Sequence, residues 1–209
     1  MEIRKPILKK EKLAETVFSV SSVIQLDEVT LSCGLADNEQ IDELKISTSI
    51  IHTLSLQSSI VEDLSIVDSF LFASNFAGAV FNHTFFERAR LSGCRLQGTQ
   101  LMECIARDTV IEKSKCDDVS FRFAKIENTV FLDCEMENAD FSGARLKNVL
   151  FRNCNLKKSQ FSQAKLNHVG LKESDIQGIA IDKDSFGNIT VNTGQALYLA
   201  SRLGLNIED

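Results

Sequence analysis

Three histidines and six cysteines are the residues of this sequence best suited to metal binding or nucleophilic catalysis. They are His52, His83, His168, Cys33, Cys94, Cys104, Cys116, Cys134 and Cys154. No two cysteines form a CxxC pair, the common spacing of structural zinc ligands. The sequence also lacks GxSxG, phosphate-loop and dinucleotide-binding motifs. We therefore predict that the protein is not an enzyme and holds no metal or cofactor.

A five-residue period extends through most of the chain. A large apolar residue recurs every five positions, and a small residue stands two positions before it. The period is most regular at Phe121, Ile126, Phe131, Met136, Phe141, Leu146, Phe151, Leu156 and Phe161. Alternate residues of a strand point the same way, so the small and large residues share the inner side. The chain must then turn after each repeat.

Four such turns make a square coil of about twenty residues, and stacked coils pair strand on strand about 4.8 Å apart. Five of the cysteines fall on inward positions, where we expect them to act as small buried hydrophobes. Cys134 and Cys154 lie one coil apart, but parallel side chains and a reducing cytosol argue against a disulfide. The histidines fall on different sides of the coil and cannot share a metal.

The motif ADFSG at 139–143, with AKIEN, ARLKN and AKLNH beside it, resembles the pentapeptide-repeat family, whose consensus is A(D/N)LXX. The resemblance covers about residues 41–181. It implies an all-β fold, a right-handed quadrilateral β-helix (β-solenoid), and we expect a C-terminal capping α-helix to close it. The repeats need many backbone donors, which agrees with the single proline of the chain.

The register divides the chain into three parts. Residues 1–40 are predicted to form an N-terminal leader and an irregular first coil, 41–181 the β-helix of about seven coils, and 182–209 a turn and helix cap. The segment Lys5–Leu8 resembles the short proline-containing leader of many bacterial members and is predicted to cap the first coil. A short helix over 9–16 is the alternative.

The early register has two irregularities. We expect a loop at 34–40, where the period would turn Glu39 inward. Leu44, Leu54 and Leu64 occupy the small position, where later coils have Thr, Cys or Ala. Because interiors are close-packed, the first coils are predicted to be wider or distorted.

An acidic row is predicted on one outer side of the coil. Its members are Asp42, Glu43, Glu62, Asp63, Glu103 and Asp140. The opposite side carries Lys125, Arg145, Lys147 and Lys165. Stacked carboxylates resemble the charge row of duplex DNA, which has one charge per roughly 1.7 Å. The family resemblance implies a DNA mimic that binds a type II topoisomerase such as DNA gyrase and protects it from fluoroquinolones. The alternative is a charge-mixed surface that keeps the rod soluble.

An apolar stripe is predicted on the outside of another face. Its members are Ile50, Phe70, Phe72, Val110, Val130, Leu132 and Leu150, with Arg90 interrupting. A contiguous apolar stripe indicates a contact surface or a covering segment. The N-terminal leader is the candidate cover.

The C-terminal segment is predicted to form a helix of about ten residues. Thr193 is a suitable N-cap, Gly204 marks the end, and Ala196, Leu199, Ala200 and Leu203 follow helical spacing. SDIQG followed by TGQALYLASRLGL resembles the C-terminal end of the quinolone-resistance (Qnr) group, which implies a tail-to-tail homodimer. The extra stretch near 183–192 departs from that group, and a monomeric cap is the alternative.

Composition limits the partner and the compartment. The formal net charge is −6, which disfavours direct nucleic-acid binding. No signal peptide or membrane-spanning apolar run is apparent, so we expect a cytoplasmic protein. The sequence favours a rod-shaped protein that binds a protein partner of unknown identity. The second hypothesis is a DNA mimic that binds gyrase. The third and weakest hypothesis is an enzyme site in the C-terminal cap.

Overall fold

The computed structural model describes residues 3–8 and 13–206 of the chain. It contains one α-helix, α1 (Thr193–Arg202), a short 3-10 helix at Lys183–Ser185, and a series of short strands. The strands are β1 (Ala14–Thr16), β2 (Val23–Asp27), β3 (Val29–Leu31), β4 (Gly34–Leu35), β5 (Gln40–Ser47), β6 (Ile50–Ile51), β7 (Leu54–Ser55), β8 (Ile60–Val67), β9 (Phe70–Phe72), β10 (Val80–Phe81), β11 (Phe85–Glu87), β12 (Arg90–Ser92), β13 (Ile105–Arg107), β14 (Val110–Glu112), β15 (Lys125–Leu132), β16 (Arg145–Arg152), β17 (Lys165–Gly170) and β18 (Asn188–Thr190).

Parallel pairing between successive coils builds the fold. Strand β8 pairs with β5, so that Val61 lies opposite Ile41, and β16 pairs with β15, so that Phe151 lies opposite Phe131. The result is a β-solenoid of about 8 turns with a C-terminal helix, which confirms the predicted fold class. About seven turns were predicted over residues 41–181, preceded by an irregular first coil within 1–40. That first coil is residues 21–40, where β2 pairs with β5 in the same register as the later coils.

The large inward residues fill the interior. Phe121, Phe141 and Phe161 stack with ring centroids 5.2 and 4.9 Å apart, and Phe131 stacks on Phe151 at 4.9 Å. Rings of the two columns meet edge to face, as for Phe141 and Phe151 at 5.6 Å. Each of these rings is almost fully buried. The phenylalanine column is therefore packing, because it leaves no interior space for a ligand.

Small polar side chains on the inner side donate hydrogen bonds to backbone carbonyls of the coil below. The hydroxyl of Ser59 donates to the carbonyl of Ala36 at 2.5 Å, and that of Thr99 donates to Phe76 at 2.8 Å. The thiol of Cys154 donates to the carbonyl of Phe131 at 3.5 Å. Buried hydroxyls and thiols cost little when they are hydrogen-bonded, so Ser, Thr and Cys can replace Ala at the small position.

The early coils turn differently from the later ones. Most corner residues that precede a small position have positive φ, such as Glu103 at 59° and Asn128 at 48°. Glu43 and Asp63 are not among the positive-φ residues, and each precedes a buried leucine, Leu44 or Leu64. Strands β5 and β8 continue through those corners. The larger side chain at the small position thus accompanies a straighter corner, in line with the predicted distortion.

Residues 34–40 form a regular side of the first coil, and the loop expected there is absent. Gly34 and Leu35 make strand β4, Ala36 is buried at the large position, and Asp37 and Asn38 form the same turn as later coils. Glu39 is exposed instead of pointing inward. A first coil has no coil beneath it, so its side chains can reach water at the open end.

The open end of the first coil is covered by residues 14–18. Strand β1 pairs with β3, with Ala14 opposite Val29, and Phe18 packs against the core. A Cβ on Gly34 would lie 2.8 Å from the Phe18 ring, so the glycine makes room for that ring. The alternative helix over 9–16 is wrong at Ala14–Thr16, which is a strand, while residues 9–12 lie outside the described residues. The segment Lys5–Leu8 does not form this cap.

The C-terminal end is closed by α1 and the segment before it. Asn192, not Thr193, is the N-cap: its side chain accepts from the Gln195 backbone N–H, and the Gln195 side chain accepts from Asn192 in return. Gln195 is buried, and its Nε2 donates to the carbonyls of Leu171 and Ser174 at 2.9 and 2.7 Å. It thereby satisfies carbonyls that a further coil would otherwise have paired.

Candidate protein-interaction surfaces

The residues best suited to chemistry do not converge. All three histidines are exposed, and each has a different neighbour: Phe72 for His52, Asp63 for His83 and Asn188 for His168. Within residues 3–8 and 13–206, no group of three His, Cys, Asp or Glu side chains is placed to hold a metal. No helix of the described chain is long and apolar enough to cross a membrane.

The cysteines are free thiols, and all but Cys33 are buried. Burial raises the pKa of Cys94 to about 11 and that of Cys104 to about 12. A hydrogen bond with Cys116, together with burial, raises the pKa of Cys134 to about 12. Since the thiolate is the nucleophile, these interior thiols are unreactive at neutral pH.

The acidic row lies on the surface, but it is uneven. Asp42, Glu62, Asp63 and Glu103 are exposed, whereas Glu43 and Asp140 are half-buried. Lys45 pairs with Glu43 at 2.5 Å, and the resulting hydrogen bond lowers the pKa of Glu43. Arg122 lies 3.7 Å from Asp140. Two of the six carboxylates are thus partly neutralised.

The apolar stripe does point outward, and all seven of its side chains are half-buried. Phe70 and Phe72 stack at 6.1 Å, and His52 stacks on Phe72 at 5.6 Å. Arg90 divides the stripe, because its guanidinium donates two hydrogen bonds to Glu112 at 3.1 and 2.6 Å. Burial alone would raise the pKa of Glu112, but the hydrogen bonds from Arg90 and Ser92 outweigh it and lower that pKa.

The N-terminal leader lies beside the stripe instead of beneath the first coil. Arg4 Nε donates to Asp108 at 2.8 Å and its Nη2 also contacts that carboxylate, while the Ile7 backbone N–H donates to Asp68 at 3.0 Å. Asp68 and Asp108 are corner residues two positions before Phe70 and Val110 of the stripe. The prediction that Lys5–Leu8 cap the first coil is therefore wrong.

One corner of the solenoid connects these features, and we call it the corner channel. Its corner residues, one per coil, are Asp68, Arg88, Asp108, Asn128, Asn148, His168 and Asn188. In the lower half, Arg88 binds both carboxylate oxygens of Asp68 at 2.6 Å, and this hydrogen bonding lowers the pKa of Asp68. In the upper half, Asn148 donates to Asn128 at 3.0 Å, and Asn188 contacts His168 at 3.1 Å.

The upper half of the corner channel contains a cavity of about 570 Å³. Its lining includes Asn128, Asn148, Leu150, Arg152, His168, Gly170 and Lys172. A Cβ on Gly170 would lie 2.7 Å from Leu150 Cδ2, so the glycine leaves room for the Leu150 side chain, which forms an apolar floor. A second cavity of about 270 Å³ lies next to it, lined by Arg107, Lys125, Arg145, Lys147 and Lys165.

The cations were predicted on one side of the coil, but the channel beside them was not predicted. Their interval of twenty residues places Lys125, Arg145 and Lys165 in one column, and the strand pairing confirms it. Gly170, at the position of the stripe in its coil, was a further signal in the sequence.

The proposed dimer residues of α1 separate into two sets. Leu199 is 5% exposed and packs against the core, so it belongs to the cap. Ala196 and Leu203 are exposed, and Ala200 is half-buried. Leu197 and Leu205, which the sequence analysis did not choose, are 49% and 60% exposed.

The parallel coils with their five-residue sides define a β-solenoid class of protein, and the comparisons agree with it. Two protein-family models match: "Pentapeptide repeats (8 copies)" over residues 71–105 and "Pentapeptide repeat region" over residues 115–181. Residues 71–105 and 115–181 thus consist of pentapeptide repeats. No curated protein matches the sequence.

Similar solved structures include three pentapeptide-repeat or resistance proteins. QnrB1, a plasmid-mediated fluoroquinolone resistance protein, is 15% identical with a TM-score of 0.42, covering 89% of this chain and 99% of that chain. HetL, a protein involved in heterocyst differentiation regulation in the cyanobacterium Nostoc sp. strain PCC 7120, is 13% identical with a TM-score of 0.39, covering 75% and 84%. Rfr23 from the cyanobacterium Cyanothece 51142 is 25% identical with a TM-score of 0.22, covering 50% and 62%.

Proposed function

We propose that this protein is a non-enzymatic interaction rod that binds a protein partner through its outer side chains. The observation that carries the proposal is the apolar stripe. Its side chains point away from an interior that is already filled, so packing within the solenoid does not require them to be apolar. Outward apolar side chains that stay half open to water in this way mark contact sites on soluble proteins.

The aromatic lower end of the stripe supports a protein partner. Phe70, Phe72 and His52 form one stacked cluster that remains half open to water. Aromatic side chains dominate the energetics of protein interfaces because they bury a large rigid area. A flat stripe without a deep cleft suits a protein surface better than a small substrate.

Quantitative affinity capture with the tagged protein tests this proposal. Val130→Lys places a charge in the stripe, and Val80→Lys is the matched control, since both valines are outward and half-buried. We expect Val130→Lys, but not Val80→Lys, to lose the partner. Equal capture by both variants would exclude the stripe as the contact, provided that circular dichroism shows the same fold.

A second candidate function is mimicry of DNA toward a type II topoisomerase such as DNA gyrase. The observation that favours it is the exposure of Asp42, Glu62, Asp63 and Glu103 along one side. A gyrase supercoiling assay, with and without fluoroquinolone, tests it. We expect inhibition or protection at micromolar protein, abolished by charge reversal at Asp42, Glu62 and Asp63. No effect of the wild-type protein would refute the mimicry.

A homodimer through α1 is the corresponding proposal for assembly. Leu203 is 47% exposed and stands beside Gly204 at the end of the helix. Light scattering should show that Leu203→Arg converts a dimer to a monomer. Leu199→Arg is unsuitable for this purpose, because it would disrupt the buried side of the cap. A wild-type protein that is monomeric at every concentration would refute the dimer.

We propose a cytoplasmic location for the protein. The stacked cysteines Cys134 and Cys154 are free, which suits a reducing compartment. Fractionation of the source cells, with the protein detected by antibody, tests the location.

A further inference from the structure

We propose that the upper half of the corner channel binds an extended acidic segment of a partner protein. The inference rests on the proposed function and names a second contact, which adjoins the upper end of the stripe at Leu150, and its ligand chemistry. The N-terminal leader already occupies the lower half of the same channel, and its path and charge indicate what the upper half can bind.

The leader shows how an extended chain lies in the channel. Arg4 contacts Asp108, and Ile7 contacts Asp68, which is two coils lower. Two coils are about 9.6 Å apart, and three extended residues span about 10 Å. The leader therefore runs along the solenoid axis in an extended conformation, and the channel continues in the same direction past Asp108 to Asn128 and Asn148.

Charge determines what each half accepts. The lower half presents Asp68 and Asp108, and it holds a leader that carries Arg4. The two cavities of the upper half are lined by more cations than carboxylates. The cations include Lys125, Arg145, Lys147, Arg152 and Lys165, and the carboxylates are Glu127 and Glu173, of which Glu173 pairs with Lys172 at 3.7 Å. None of these five cations forms an ion pair with a described residue.

The stacking of these cations has an energetic consequence. Lys125, Arg145 and Lys165 are direct neighbours on successive strands, about 4.8 Å apart. Like charges directly opposite on paired strands destabilise a sheet. A bound carboxylate would relieve this repulsion and would gain charge-assisted hydrogen bonds from the arginine.

The remaining lining suits a peptide more than a nucleic acid. Leu150, which lies over Gly170, offers an apolar floor for one side chain, and the amides of Asn128 and Asn148 can bond an extended backbone. A nucleic acid would also meet the rest of a chain with net charge −6, which repels a long polyanion. A short acidic segment needs only the local cations.

Fluorescence anisotropy with a labelled peptide of alternating glutamate and valine, eight residues long, tests the proposal. The full chain should bind it at micromolar concentration and should not bind the matching lysine–valine peptide. Arg145→Ala/Lys165→Ala should weaken binding about tenfold, the loss expected for about 1.4 kcal/mol. Arg95→Ala/Lys115→Ala is the control, because those exposed cations are also register neighbours on another face.

Two further measurements separate the alternatives. Gly170→Val crowds Leu150 at the apolar floor and should weaken peptide binding without changing the dependence of binding on salt. The Arg145→Ala/Lys165→Ala variant should reduce that salt dependence, because it removes two of the charges. A single-stranded oligonucleotide that binds as tightly as the acidic peptide would overturn the assignment to a protein segment. Absence of peptide binding while Val130→Lys still loses its partner would refute the channel and leave the interaction rod intact.

Discussion

The lower half of the corner channel holds the N-terminal leader, whereas no described segment of the chain lies in the upper half. In the lower half, the corner carboxylates Asp68 and Asp108 hold the leader, and Asp108 is 2% exposed as a result. In the upper half, the corner residues are Asn128, Asn148 and His168, and the histidine is exposed. Because a solenoid repeats its geometry in every coil, a change of side chain at one column converts an occupied surface to an open one.

The interiors of the two halves differ as well. The lower coils are filled mainly by Ile, Leu and Val, and the upper coils by stacked phenylalanines. Positive-φ corners occur in both halves, but the lower coils also have the straighter corners at Glu43 and Asp63. The upper half is the more regular scaffold, which suits a surface where side chains must stand in rows.

The largest expected effect concerns the phenylalanine column of the upper half. Phe141→Ala removes a fully buried ring between Phe121 and Phe161, and should lower the free energy of unfolding by about 3–5 kcal/mol. Urea denaturation followed by circular dichroism measures it. Phe123→Ala, at a side chain 48% exposed, is the control and should cost less than about 1 kcal/mol. Equal losses would mean that the column is not the core of that half.

The second effect concerns the leader that distinguishes the lower half. Asp68→Ala removes the acceptor of the Ile7 amide and the partner of Arg88. Hydrogen exchange at Ile7 should accelerate by at least about tenfold, because hydrogen bonds to charged groups are among the stronger ones. Asp133→Ala is the matched control, since that corner carboxylate bonds Asn153 and lies far from the leader. Unchanged exchange at Ile7 would show that Asp68 does not hold it.

The third effect is a dependence on pH that arises from Asp68 in the lower half. Hydrogen bonds from Arg88 hold the pKa of Asp68 below its ordinary value of 3.8. A carboxylate with a depressed folded pKa contributes stability above its ordinary pKa and loses it as the pH falls through the folded value. The difference in unfolding free energy between wild type and Asp68→Ala should be constant from about pH 5 to 7 and should shrink below about pH 3.8. A difference that grows on acidification would contradict the assigned pairing.

The smallest effect compares thiol access in the two halves. Cys33 of the first coil is exposed, and the other five cysteines are buried, from Cys94 in the middle coils to Cys154 in the upper half. A thiol reagent at neutral pH should label one site per native chain and all six in denaturant, as mass spectrometry can count. Rapid labelling of Cys134 or Cys154 in the native protein would mean that the upper coils open readily.

Much of the fold could be predicted, because the repeat is local. The small and large positions from Phe121 to Phe161 specify inside and outside without any knowledge of distant contacts. The capping details were less predictable: both Asn192 and Thr193 are good N-cap residues, and only the reciprocal bond with Gln195 decides between them. The first coil was also missed in part, because Gly34 and Ala36 give a weak hydrophobic signal.

The sequence by itself determined the solenoid, the interior columns and the outward position of the acidic row and the apolar stripe, since each follows from a period of five. The tertiary structure decided where the leader lies, because the contact between Arg4 and Asp108 joins residues 104 positions apart and no periodicity relates them. It also decided that Leu199 faces the core and that the upper corner channel is open. Those outcomes depend on which surfaces meet after the coils have stacked, which a local repeat does not encode.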